Sequence, residues 1–447
     1  MLSALKSLFS GGSAQSPEER KKYSLLAILF GITIGVYWLL RPLKDGVFLT
    51  MVGIDYQPMV KVLSVAVIVP LVMIYSKLVD RLSRHALLYG LSIFYAISSI
   101  VFAILILNPS TGIANTVADP SRWLGWAFYL FVESFGSIMV ALFWSFVADT
   151  TTPDSAKRGY PTIVMGAQIG GIAGPLAASF IIPYFGTNGT SFAIFFGVAA
   201  LCLLPVIVYY YMHHVPRSQM EGFHGDNKKP LEGKAETGFL EGLRLLITKP
   251  YLLGIFIVVS FYEVIVTVLD FQFKGLASAQ YTGNALSAYL TNYAIWTNVV
   301  ALICVIVGVN SIGRKLGLGK TLMLLPVIVG VAMVLISVHT ILPVAFAIMV
   351  FSKGINYALN QPAKEQLYIP TTKETKYKAK AWIDMFGSRS SKGVGSLINN
   401  SKRSLGAQGF IWFSLAVSLG LIAVWLAAAA FLGKTHSKAV REDRPVC

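Results

Sequence analysis

Apolar runs of about 20 residues, separated by polar turns, recur roughly twelve times along this 447-residue chain. Each is long enough to cross a lipid bilayer as a helix, and a helix satisfies its own backbone polar groups where no water is available. The predicted spans are 23–52, 57–79, 86–107, 122–148, 159–184, 190–212, 251–275, 285–309, 319–338, 341–367, 377–400 and 408–432. With 55% of residues hydrophobic and 13% charged, there is too little polar surface for a soluble domain. The expectation is an all-α membrane protein with about 12 transmembrane helices.

The net charge of +16 is not spread over a face that would read nucleic acid. It collects in alternate loops: Arg20, Lys21 and Lys22; Lys77, Arg81 and Arg84; Lys157 and Arg158; and Arg217, Lys228, Lys229, Lys234, Arg244 and Lys249 in the central loop. Arg314, Lys315 and Lys320, and then Lys373, Lys376 and Lys378, continue the pattern. By the positive-inside rule these loops and both termini are cytoplasmic. The opening MLSALKSLFSGGSAQS is too short and too weakly apolar for a cleavable signal. Cys202, Cys304 and Cys447 have no metal-ligand spacing, the six His are scattered, and no Walker-type loop occurs. An enzyme, an ATP-driven pump and a resident cofactor are therefore not expected.

The longest polar interruption, about 213 to 250, divides the chain into an N-terminal six-helix bundle (1–212), a cytoplasmic linker (213–250) and a C-terminal six-helix bundle (251–447). A shift of 221 positions carries Thr150 and Thr151 onto Thr371 and Thr372, and Lys157 onto Lys378. It also carries Gly166, Gly170 and Gly174 onto Gly387, Ser391 and Gly395. Small residues four apart let helices approach closely, so each half is expected to keep one tightly packed helix in the same place. Duplicated six-helix halves point to a major-facilitator type of fold with a site between the halves. The stretch Asp80-Arg81-x-x-Arg84 resembles the gating loop of that superfamily.

Ionisable residues then stand inside apolar runs, where each costs about 2.5 to 3.5 kcal/mol unless paired or wetted. They are Arg41, Lys44 and Asp45 on the first run, Glu133 on the fourth, Glu263 on the seventh, Lys353 on the tenth, and Asp384, Arg389 and Lys392 on the eleventh. Tyr37, Arg41, Lys44 and Phe48 share one helical face, as do Glu263, Thr267, Asp270 and Lys274, and Glu133, Ser137 and Trp144. Arg41 and Asp45, four apart, suit an intrahelical pair, while Lys61 suits either snorkelling or function. Cations, a few acids and aromatics together suit a large organic anion: phosphate on Lys and Arg, a base on an aromatic plane.

RPLKD, PMVKVLSV, a Glu before FWSFVAD, FYEV, and AKEQLYIP followed by KAKAWIDMFGSRSSKGVG resemble the non-mitochondrial ATP/ADP translocase family of plastids and intracellular bacteria. The resemblance covers essentially the whole chain. It implies exchange of nucleotides across a membrane, with the family's essential residues falling on Lys44, Glu133 and Glu263, and on Lys392 or Lys380. It also implies departures, because Asn356 and Gln361 stand where many members have a Lys and an Asp, and SKGVG stands for GKSGG. The expected site comprises Lys44, Glu133, Glu263, Arg389, Lys392, Arg41, Asp384, Lys353 and Tyr37, with Asp80 and Arg81 as gate residues. The expected protein is a monomeric ATP/ADP-type antiporter working by alternating access in a bacterial inner membrane, with nucleotide and lipid as its partners. The alternative is a proton-coupled or facilitative transporter of another anionic metabolite.

Overall fold

A computed structural model describes residues 16–220, 246–306, 316–371 and 387–442, together with 244, 380, 382, 383 and 446. Most of the linker, Asp384, Lys373, Lys376 and Lys378 lie outside the described residues, as do the side chains of Asp80, Lys157 and Gln361. Helices follow the predicted runs: α1 (Pro17–Met51), α2 (Gln57–Arg81), α3 (Arg84–Leu107), α4 (Trp123–Asp149), α5 (Pro153–Tyr184) and α6 (Gly189–His214) in the first part of the chain. The second part has α7 (Pro250–Gln280), α8 (Gly283–Ile306), α9 (Leu318–Val338), α10 (Leu342–Ile355), α11 (Gln361–Leu367), α12 (Ser388–Asn400) and α13 (Lys402–Glu442). Among the described residues nine helices are long and apolar enough to cross a membrane.

Local chemistry sets several boundaries. Ser16 caps α1 by accepting a hydrogen bond from the Glu19 N–H, Pro17 takes the first helical position, and Glu18 and Glu19 lie in the positive first turn. The helix therefore begins six residues before the predicted start, since its polar first turn carries no apolar signal. The tenth predicted run is not one α-helix. Between α10 and α11 the chain widens into a π-helical turn over Asn356–Asn360. In α13 the regular geometry breaks at Gly406, whose φ of 68° favours glycine.

Chain contacts group the protein into two compact units. Unit 1 comprises Met1–Gly53, Ala66–Lys228 and Tyr281–Ile295. In it α5 lies hard against α1. A Cβ built on Gly170 would come 1.9 Å from the Gly31 carbonyl oxygen, and one on Gly174 would come 2.0 Å from that of Gly35. No larger residue fits such a crossing. Phe30 of α1 stacks on Phe143 of α4 with ring centroids 4.2 Å apart. The start of α8 is tied into this unit by the Gly283 N–H donating to Thr50 Oγ1 (3.0 Å) and the Thr190 N–H donating to Asn284 Oδ1 (2.9 Å).

Unit 2 comprises Ile54–Val65, Lys229–Gln280 and Trp296–Cys447. Here α12 packs on α7: a Cβ on Gly395 would lie 2.7 Å from the Val264 carbonyl oxygen, and one on Gly387 would meet the Phe256 ring. Asn399 Nδ2 donates to the Thr267 carbonyl (3.2 Å) across the same crossing. The small residues that a 221-position shift brings into register thus seat α5 on α1 in unit 1 and α12 on α7 in unit 2.

Candidate functional site

In unit 1 the charged stretch of α1 is organised around Lys44. Pro42 interrupts the helical hydrogen bonds one turn after Trp38, in a helix otherwise able to satisfy itself. Lys44 is 3% exposed, and burial of an ammonium demands partners. Its Nζ lies 3.1 Å from Asp45 Oδ1 and 3.1 Å from Glu133 Oε1 of α4, and 3.8 Å from the centroid of the Tyr129 ring. An ammonium thus sits among two carboxylates and an aromatic face. The i,i+4 rule suggested that Asp45 would answer Arg41. The carboxylate of Asp45 accepts from its neighbour Lys44, beside Glu133. Arg41 lies over the Trp38 ring at 4.9 Å and the Tyr37 ring at 5.8 Å. Tyr37 itself rests on α4, where a Cβ on Gly136 would come 2.3 Å from its ring, one turn beyond Glu133.

Unit 2 carries its own ionic groups. Lys392 Nζ of α12 lies 3.7 Å from Glu263 Oε2 of α7, with the lysine side chain half exposed. Lys380, the other lysine that the resemblance allowed, bonds Glu365 of α11. Arg389 is half-buried near the start of α12. Lys353 of α10 reaches Asp270 Oδ1 at 3.4 Å, and Asp270 Oδ2 also meets Lys61 (3.1 Å) and Lys274 (2.8 Å). Lys61, for which the sequence allowed snorkelling or function, is thus one of three lysines on the Asp270 carboxylate.

At the proposed gate Arg81 is exposed, while Arg84 does the bridging. Its Nε lies 3.3 Å from Asp149 Oδ2 at the end of α4 and donates to Ser145 Oγ (3.2 Å), and its guanidinium also donates to the Val79 carbonyl. Lys22, grouped in the sequence with topological charges, is in fact buried, at 1% exposure. Its Nζ donates to the Thr150 and Gln219 carbonyls, and Glu19 beside it accepts from Ser155 Oγ (2.6 Å) and Arg158 (2.9 Å). Sequence reasoning missed Glu19 and Lys22 as interior residues, and Asp270 as a hub. The stripe Glu263-Thr267-Asp270-Lys274 was the signal for the last.

Long apolar helices whose interior charges are paired within and between helices define an integral, multi-pass membrane protein, and the fold is of the major-facilitator type. Among solved structures it is similar to a bacterial homologue of the iron transporter ferroportin, with a TM-score of 0.63 and 12% identity, covering 93% of this chain and 100% of that one. It is likewise similar to the nucleoside transporter NupG, with a TM-score of 0.60 and 12% identity over 94% of this chain and 99% of that one. The chain belongs to the TLC ATP/ADP transporter family, whose model matches residues 15–348 and 336–436. It is 28% identical to ADP,ATP carrier protein 1 of Chlamydia trachomatis, over 93% of this chain and 89% of that protein. It is 26% identical to the chloroplastic ADP,ATP carrier protein 2 of Arabidopsis thaliana, over 95% of this chain and 76% of that protein.

Proposed function

We propose that this protein is a nucleotide antiporter that exchanges an ATP-type for an ADP-type nucleotide by alternating access, its site opening to one side of the membrane at a time. The observation that carries the reading is a buried lysine, Lys44, held by Asp45 and Glu133. In the empty carrier these carboxylates satisfy the cation. An incoming phosphate competes for it through charge-assisted hydrogen bonds, which are stronger than those to neutral groups. Glu263 and Lys392 make a looser, more exposed pair in unit 2, 3.7 Å apart. Lys44, Arg389 and Lys392 serve as phosphate-binding cations, with Arg41, Lys353, Tyr37 and Asp384 as further contacts, Glu133 and Glu263 as internal counter-charges, and Asp80 and Arg81 at the gate. The relatives named above are carriers of ADP and ATP, which supports this substrate class. The arrangement of basic loops supports cytoplasmic termini, and we place the protein, as a monomer, in a bacterial cytoplasmic membrane.

Counterflow in proteoliposomes tests the reading. Uptake of labelled ATP should require ADP preloaded inside; uptake that is indifferent to preloading rejects exchange.

A second reading, transport of another anionic metabolite, is favoured by Asn356. It is buried at 4% exposure and accepts a hydrogen bond from Asn360 Nδ2 at 2.9 Å, where many nucleotide exchangers carry a charge. If that transport is coupled to protons, an imposed pH gradient should drive uptake into liposomes holding no counter-substrate.

A further inference from the structure

Three lysines from three helices meet on one carboxylate within unit 2. Lys274 follows Asp270 by one turn of α7, so that contact is local. Lys61 comes from the start of α2 and Lys353 from α10. All four side chains are largely buried, with exposures of 15% for Lys61 and Lys353, 10% for Asp270 and 7% for Lys274. Gathering three ammonium groups sacrifices rotamer freedom and hydration and sets the cations against one another. To hold helices together, one ion pair or an apolar contact would serve with less opposition. To three ammonium groups a carboxylate offers two oxygens and one charge. A terminal phosphate offers three oxygens and close to two charges.

The adjoining backbone is adapted as well. Three residues beyond Lys353 the helix opens into the π turn Asn356–Asn360, which holds the amide side chains of Asn356 and Asn360 in the interior. Such single π turns are uncommon and concentrate at functional sites.

We propose that Lys61, Lys274 and Lys353 form an anion subsite for the phosphate chain of the transported metabolite, with Asp270 as the resident counter-ion that phosphate displaces. The ligand class rests on the exchange reading above, whereas Lys61, Lys274 and Asp270 lie outside the residues that reading uses. The counter-ion has a function of its own, since its return to the lysines lets phosphate leave.

The test is calorimetric binding of ATP, ADP, AMP and inorganic pyrophosphate to the purified full-length chain, for the wild type and for Lys61→Gln, Lys353→Gln, Lys61→Arg and Asp270→Asn. Each Lys→Gln change should weaken ATP binding about tenfold and AMP binding less than about twofold, and Lys61→Arg should retain ATP. Asp270→Asn should bind ATP and pyrophosphate at least about threefold more tightly and exchange more slowly. Should Asp270→Asn fail to fold, the lysine variants decide the matter. Folded Lys61→Gln and Lys353→Gln proteins with wild-type ATP affinity overturn the subsite even if ATP/ADP exchange stands. Pyrophosphate binding that depends on Lys61, in a protein that binds no nucleotide, upholds the subsite and removes the nucleotide reading.

Discussion

Lys44 Nζ of α1 and Glu133 Oε1 of α4 lie 3.1 Å apart, and the Tyr129 ring, one turn before Glu133, covers the same ammonium. The lysine is nearly sealed, whereas the Glu133 side chain is 30% exposed. The more exposed partner is therefore the acid.

Replacement of Lys44 by Ala should remove the ammonium that Asp45 and Glu133 share. Counterflow of ATP is expected to fall by at least about tenfold, and near-normal exchange would remove Lys44 from the mechanism. Glu133→Lys should alter the charge preference among substrates or abolish exchange; an unchanged substrate profile would count against its counter-charge role.

The pair Glu263 and Lys392 separates stability from function. With the lysine half exposed, Glu263→Gln should change unfolding free energy by no more than about 1 kcal/mol, read as a small shift of the melting temperature. Exchange should nonetheless drop sharply. A large loss of stability with exchange preserved per folded molecule would make the pair structural.

The crossing of α1 and α5 tolerates no side chain. Gly170→Val should destabilise unit 1 by about 3 kcal/mol and reduce the monodisperse fraction on gel filtration. Gly90→Ala is the control, because among the described residues nothing lies within 4 Å of a Cβ placed there. Equal behaviour of the two variants would refute the close crossing.

The loop between α3 and α4 is pinned by Arg122, whose guanidinium donates to the carbonyls of Thr111 (3.0 Å), Gly112 (2.6 Å), Asn115 (2.8 Å) and Val117 (2.8 Å). Arg122→Lys cannot reproduce that planar fork and should loosen the loop by about 2 kcal/mol, seen as faster proteolysis between α3 and α4. Asp119 in the same loop accepts from the Ser121 N–H at 2.7 Å, which holds its carboxyl below the usual range. A lowered carboxyl contributes stability above its unfolded pKa of about 3.9 and loses it as the pH falls through the folded value. Proteolysis of this loop should thus be insensitive to pH between about 5 and 8 and rise only in stronger acid; a rise near neutrality would contradict the assignment.

Much of this was legible in the chain itself. Helices had to follow the apolar runs, because lipid leaves backbone groups no other partner. The period of 3.6 put Tyr37, Arg41 and Lys44 on one face, and the spaced small residues marked α5 and α12 as close-packing helices. Partner choice was not legible. Spacing along one helix pointed Asp45 towards Arg41 but was silent on Lys44, whose ammonium packing places between Asp45 and Glu133. Lys22 read as a topological charge until the Thr150 and Gln219 carbonyls, far along the chain, were seen to receive it. Asp270 gathers Lys61 and Lys353 from opposite parts of the sequence, and only packing could bring them within reach. Helix existence and helical face follow from local sterics and the solvent, which the sequence carries residue by residue. The pairing of charges is a contest among all groups that the tertiary fold brings near, and that contest has no local record.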